Sequence, residues 1–229
     1  MDTLSDLMAE VVACRACPRL VEWRERIARE KRSSFRNDVY WGRPLPSFGD
    51  PEARTVILGL APAAHGGNRT GRIFTGDRSG DWLFASLHRT GFANQATSIR
   101  LDDGLRLSDA YIAAAVRCAP PANKPAIEER DRCIEYFVRE LPMLRRARVI
   151  VCLGSFAWDS ALRAVTAVTG ERIRPKPRFG HLAETAAGPY RLLGSYHPSQ
   201  QNTFTGKLTE GMLDAVFQRA RDLCEASNS

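Results

Sequence analysis

Four short apolar runs punctuate the chain, separated by longer amphipathic stretches. Residues 54–60, 110–116, 148–154 and 190–196 are too short for helices. They read instead as strands buried in a sheet. The stretches between them carry helical spacing. Leu4, Leu7, Met8, Val11 and Val12 recur on one helical face, and Thr3 with Asp6 makes a capping box at its start. Pro18 breaks or restarts this helical region, which spans 3–31. Residues 81–89 predict a helix stopped by Gly91, 127–146 a second, and 209–226 the last, while Ser155 is placed to cap the helix after the third strand. Residues 33–51, with Gly42, Pro44, Pro46, Gly49 and Pro51, read as loop. No internal repeat or low-complexity tract interrupts the pattern.

Strands alternating with helices predict an α/β fold: a three-layer αβα sandwich around a central, mostly parallel four-stranded sheet. The length of 229 residues suits one domain over 1–229. In such sheets ligands bind beyond the carboxyl ends of the strands. Three polar or glycine-rich segments follow strands directly: 61–77, 117–123 and 197–202. They are expected to converge at one sheet edge.

Composition changes this picture little. Hydrophobic residues at 44% and charged residues at 26% exclude wholesale disorder. The nearly apolar stretch 56–64 falls far short of the roughly 20 residues needed to span a bilayer. Asp2, Asp6 and Glu10 stand where a signal peptide would carry positive charge, so a cytoplasmic protein without a membrane partner is expected. The net charge of +7 favours a polyanionic partner, although simple solubility explains such a charge equally well.

The cysteines add chemistry. Cys152 lies in an apolar strand and Cys224 on the last helix, where both serve as small hydrophobes. That leaves Cys14-x-x-Cys17 and, far downstream, Cys118 and Cys133, fifteen positions apart. A disulfide framework is not expected in a cytoplasmic chain of this length. Segment 61–77 holds His65, Asn68, Arg69, Thr70, Arg72 and Asp77 among four glycines. Glycines let backbone amides approach a ligand, and arginines suit phosphate; a merely flexible surface loop is the alternative. The spacing matches neither the P-loop nor the dinucleotide fingerprint, so no nucleotide cofactor is expected. Phe74 can stack on a planar ring or serve the core. His197, at a strand end, can donate a hydrogen bond to a leaving group or make a structural one. His88 and His181 have no motif around them.

These residues resemble a known family. Gly59-Leu-Ala-Pro-Ala63, His65-Gly-Gly-Asn-Arg-Thr-Gly71 and Phe74-Thr-Gly-Asp77 are similar to the uracil-DNA glycosylase superfamily, and more narrowly to its type-5 branch. The match extends to Tyr40-Trp41, Phe48-Gly-Asp50, Val116-Arg-Cys-Ala-Pro-Pro121 with Asn123 and Pro125, and His197-Pro-Ser199 with Asn202 and Thr205-Gly206.

The resemblance implies hydrolysis of the N-glycosidic bond of uracil, hypoxanthine and related deaminated bases in DNA, leaving an abasic site. The implied machinery is a monomer with a [4Fe–4S] cluster on Cys14, Cys17, Cys118 and Cys133; four thiolates would equally suit zinc by spacing alone. His197 matches the leaving-group histidine and Phe74 the stacking aromatic. Gly59, Ala63, His65 and Asn202 fall on the substrate-binding motifs, and Asn68, Arg69, Arg72 and Ser199 on the DNA-facing ones. Related branches place a carboxylate for the water at one of the positions held here by Leu60 and Ala61, and a base-reading asparagine where this chain has Ala114. The type-5 branch shares these losses. Asp77, the acidic residue of the glycine loop, is therefore the expected water activator, with helix capping its alternative role, and Asn123 replaces part of the lost base contact. Without a dedicated uracil-reading asparagine, specificity should loosen. Two rivals are a non-catalytic or covalently trapping binder of uracil-containing DNA and an iron–sulfur redox sensor that binds DNA.

Overall fold

The computed structural model describes residues 3–226. Helix α1, Leu4–Ala13, starts at the Thr3/Asp6 capping box, both halves of which form. Cys14–Cys17 turn the chain, and Pro18 opens α2, Pro18–Glu30, in the first-turn position where its missing N–H costs nothing. A two-residue strand β1, Phe48–Gly49, precedes β2, Thr55–Gly59. A short α3, Gly67–Thr70, lies inside the glycine loop, which ends at α4, Arg78–Arg89. Then come β3, Ala110–Ala114, α5, Ile127–Glu140, β4, Val149–Leu153, and α6, Ser155–Thr169. Strands β5, Glu184–Ala187, and β6, Tyr190–Ser195, form a hairpin, followed by α7, Gln200–Phe204, and α8, Glu210–Ala226.

The sheet has six strands in the order β1-β3-β2-β4-β6-β5. Its four inner strands are parallel, with Ile57 in register between Ile112 and Val151. Both edges are antiparallel, which corrects the expected four-stranded sheet. The two edge strands escaped the pattern because they are short and mostly not buried, so no apolar run marks them. Strand side chains alternate between two cores. Ile57, Ile112 and Val151 pack with Leu83 and Phe84 of α4 and Val216 and Phe217 of α8. Val56, Leu58 and Ile150 pack with Phe137 of α5 and Trp158 of α6.

Two further boundaries differ from expectation. Gly154, not Ser155, occupies the cap of α6, and no side chain caps it. Helix α5 ends at Glu140 because Pro142 diverts the chain into a short 3-10 turn. Among the described residues no helix is long and apolar enough to cross a membrane.

Candidate functional site

Because β2, β3, β4 and β6 are parallel, segments 60–77, 115–126 and 196–209 leave the same edge of the sheet. The first and last meet directly. The Phe74 ring lies 5.9 Å from the His197 ring, tilted by 36°. Phe74 is held there by a left-handed backbone, φ 52°, and by Gly59, where an added Cβ would come within 2.8 Å of its ring. Asp77 caps α4 through a 3.0 Å bond from the Gly80 amide. Its other carboxylate oxygen abuts Gly66 so closely that a Cβ there would stand 2.0 Å away. Burial pushes the Asp77 carboxyl up, and the Gly80 amide only partly offsets this. The capping role is thus real, and the second oxygen faces Gly66. Burial also pushes His197 down to about 4, so its imidazole is neutral near neutral pH.

Other expected site residues support this pair. Asn202 donates 2.8 Å to the His197 carbonyl, fixing the backbone that carries the ring. Ser199 caps α7. His65 Nδ1 meets the Tyr40 hydroxyl at 3.0 Å, and burial lowers its pKa. The Ala63 carbonyl accepts the amides of Gly66 and Asn68, closing the loop's first turn. Asn123 is exposed on a left-handed backbone, φ 55°, and its side chain makes no hydrogen bond among the described residues. The structure brings it to the same edge without joining it to Phe74, Asp77 or His197.

Three residues expected to contact DNA have internal partners instead. Arg69 spends its donors on the His65 and Gly76 carbonyls and on Asp38, with its guanidinium over Phe35. Arg72 is 3% exposed and bonded to Asp103, Ser98 and Thr75. Although burial opposes it, Arg72 and three backbone amides hold Asp103 down at about 2. Asn68 is 1% exposed and donates to the Arg24 carbonyl. These side chains rigidify the glycine loop from within instead of facing a phosphate.

The four expected cysteine ligands line one cavity of about 200 Å³ between α1, α2 and α5. No group of three or more His, Cys, Asp or Glu among the described residues is arranged to hold a single metal ion. The four cysteines nonetheless border one shared space. Cations and donors face the sulfurs. Arg24 donates 2.8 Å to Cys118, the Arg117 amide 3.2 Å to Cys133, and Arg132 lies 3.9 Å from Cys17. The Nε atoms of Arg24 and Arg117 are buried without a partner. Burial raises Cys118 to about 11 and Cys133 to about 12, so both thiols stay protonated unless a cation displaces the proton. The donor set fits an anionic, thiolate-bound cluster.

Two contributors had no sequence signal. His181 accepts the Tyr196 amide at 3.2 Å, stacking 5.1 Å from its ring and steadying the residue before His197. Arg24 is one of many charges on α2, and only the structure reveals it as 2% exposed.

Parallel strand ends that bring a stacking ring, a neutral histidine and a buried carboxylate to one edge suit an enzyme that excises bases, and the match to known families agrees. The family model described as the uracil DNA glycosylase superfamily covers residues 46–221, and the chain belongs to that superfamily. The type-5 uracil-DNA glycosylase of Mycobacterium tuberculosis is 53% identical over 224 residues, 96% of this chain and 82% of the relative. That of Mycobacterium leprae is 50% identical over 96% of each chain. That of Thermus thermophilus is 50% identical over 93% of this chain and 94% of its own. Within the superfamily, the chain groups with the type-5 uracil-DNA glycosylases, as its motifs suggested.

Proposed function

We propose that this glycosylase removes uracil and other deaminated bases, hypoxanthine among them, from DNA by hydrolysis alone. The observation that carries this reading is the pairing of the Phe74 ring with neutral His197, with the buried Asp77 carboxylate three residues after Phe74 at the start of α4. An extruded base stacks on Phe74, and extrusion is easiest for a mispaired nucleotide. As the bond from C1′ to the base nitrogen breaks, its electrons leave with the base, and the sugar gains cationic character. Neutral His197 donates a hydrogen bond to the developing anion without competing as a charged acid. Ionised Asp77 orients a water and takes its proton as the water oxygen bonds to C1′, and the departed base anion is protonated from solvent. Ala114 offers no polar side chain to read the uracil edge, which supports broad base acceptance. Asn123 supplies an exposed amide at the rim.

The test is single-turnover incubation with duplexes carrying uracil, hypoxanthine or no lesion, followed by alkaline cleavage of abasic sites. Cleavage at both lesions, and none in the control, is expected. A stable protein–DNA complex with no released base would establish a trapping binder instead.

The reading includes a monomeric, cytoplasmic enzyme with a [4Fe–4S] cluster on Cys14, Cys17, Cys118 and Cys133. When bound, the cluster supplies cross-links between the N-terminal helices and the β3 and α5 region; excision needs no electron. Anaerobically purified protein should contain about four irons and four sulfides per chain. Cys118→Ser should lose them, and Cys152→Ser should not. Zinc without sulfide would overturn this assignment.

A further inference from the structure

Residues 170–180 join α6 to the β5–β6 hairpin as a strap outside the sheet. Its inward positions are pinned. Ile173 and Phe179 pack against the second core, and the Trp158 indole donates 3.1 Å to the Pro177 carbonyl. The Phe179 ring lies 6.2 Å from Trp158 and 6.3 Å from Tyr196, the neighbour of His197. Between these anchors Arg172, Arg174, Lys176 and Arg178 are all exposed. In sequence these cations alternate with the pinned Ile173, Pro177 and Phe179, and the chain bends at Arg174 and Pro175 between them.

Lys176 pairs with Asp159 at 2.8 Å, whereas Arg172, Arg174 and Arg178 make no ion pair or hydrogen bond among the described residues. A cleft of about 470 Å³ between the strap and α6 adds Arg130 and Arg163, against the acidic Asp159. Asp131 is shared by Arg130 and Arg163, and Glu171 is exposed at the strap's start. Cations therefore outnumber acids along the whole strap. The row ends beside the catalytic edge, where Lys207 lies 4.9 Å over the Tyr196 ring and Arg78 4.3 Å over exposed Phe204. The arginines expected to touch phosphate, Arg69 and Arg72, are spent internally, whereas those of the strap stand free.

We propose that the strap is a second DNA contact, a row of cations that holds backbone phosphates flanking the extruded nucleotide as the duplex passes from the catalytic edge toward α6. This rests on the glycosylase reading only for the position of the nucleotide. Phosphate contacts position the duplex without reading sequence, and each one formed steepens the salt dependence of binding.

The test compares the parent with a variant carrying Arg172→Gln, Arg174→Gln, Lys176→Gln and Arg178→Gln. Binding is measured on undamaged duplexes of about 10 and about 30 base pairs across salt concentrations, the longer one able to reach the strap. On the long duplex, the slope of log affinity against log salt should become shallower by about 0.9 for every phosphate no longer neutralised, and low-salt affinity should fall at least about tenfold. The short duplex should bind both proteins alike. Lysine in place of the three arginines should restore the slope, separating charge from folding. Unchanged slopes on the long duplex, or an equal loss on both lengths, would overturn the proposal. Excision of uracil by the parent is scored separately, so failure of the glycosylase reading leaves the salt result standing on its own.

Discussion

At the residue scale, Asp77 and His197 carry opposite shifts from a shared cause. Burial disfavours the charged form of each, so the carboxyl rises and the imidazole falls. In the proposed mechanism Asp77 works as a base only when ionised, so the single-turnover rate should show an acid limb above the ordinary carboxylate range. Asp77→Asn should remove that limb and depress the rate while DNA affinity holds. His197, neutral down to about 4, should add no limb at neutral pH. His197→Ala should cost about 10²-fold or more, the scale of one well-placed donor, and less for bases that leave easily. The same shift sets a stability trend. The unfolded imidazole takes a proton near 6.5 and the folded one only near 4. Stability should therefore fall as pH drops through that window, and His197→Gln should flatten the fall in thermal scans. Both residues were legible in the sequence because they follow strands within recognisable motifs. The fate of Arg69, Arg72 and Asn68 was not, because a polar side chain reads the same in sequence whether it meets a phosphate or a buried carbonyl.

At the element scale, the glycine loop is built around spaces as much as around contacts. Gly66 leaves the room that the Asp77 carboxylate fills, and that carboxylate in turn caps α4. Gly66→Ala should drive the carboxylate away and lower single-turnover cleavage at least about tenfold, a change worth about 1.4 kcal/mol in the barrier. The stability loss should stay near that of a lost cap, about 1 kcal/mol, which chemical denaturation can read. The four inner strands and most helices could be placed from periodicity alone, since burial on both faces leaves continuous apolar runs. Strands β1 and β5 and the short helices α3 and α7 could not. Each is five residues or fewer and is fixed by its neighbours rather than by its own pattern.

At the scale of the whole molecule, a buried polar knot joins distant parts of the chain. Arg117, 1% exposed, pairs with Glu140, 0% exposed, and Glu140 also accepts the Tyr111 hydroxyl at 2.7 Å. Glu140→Ala strands a buried guanidinium and should cost about 3–5 kcal/mol in urea unfolding. A second set of long ties holds α1 and α2. Arg24 reaches Cys118 across 94 positions, Arg19 reaches Glu129 across 110, and Glu10 meets Arg139 across 129. These ties have a consequence in time. At about 5–20 residues per second, a ribosome supplies those partners roughly 5–25 s after the helices themselves emerge. For that interval α1 and α2 have only the contacts that residues 42–70 provide, and Cys14 and Cys17 wait for Cys118 and Cys133. The first helices made gain these ties only once β3 and α5 have emerged, and the four cysteines come together after those elements rather than before them.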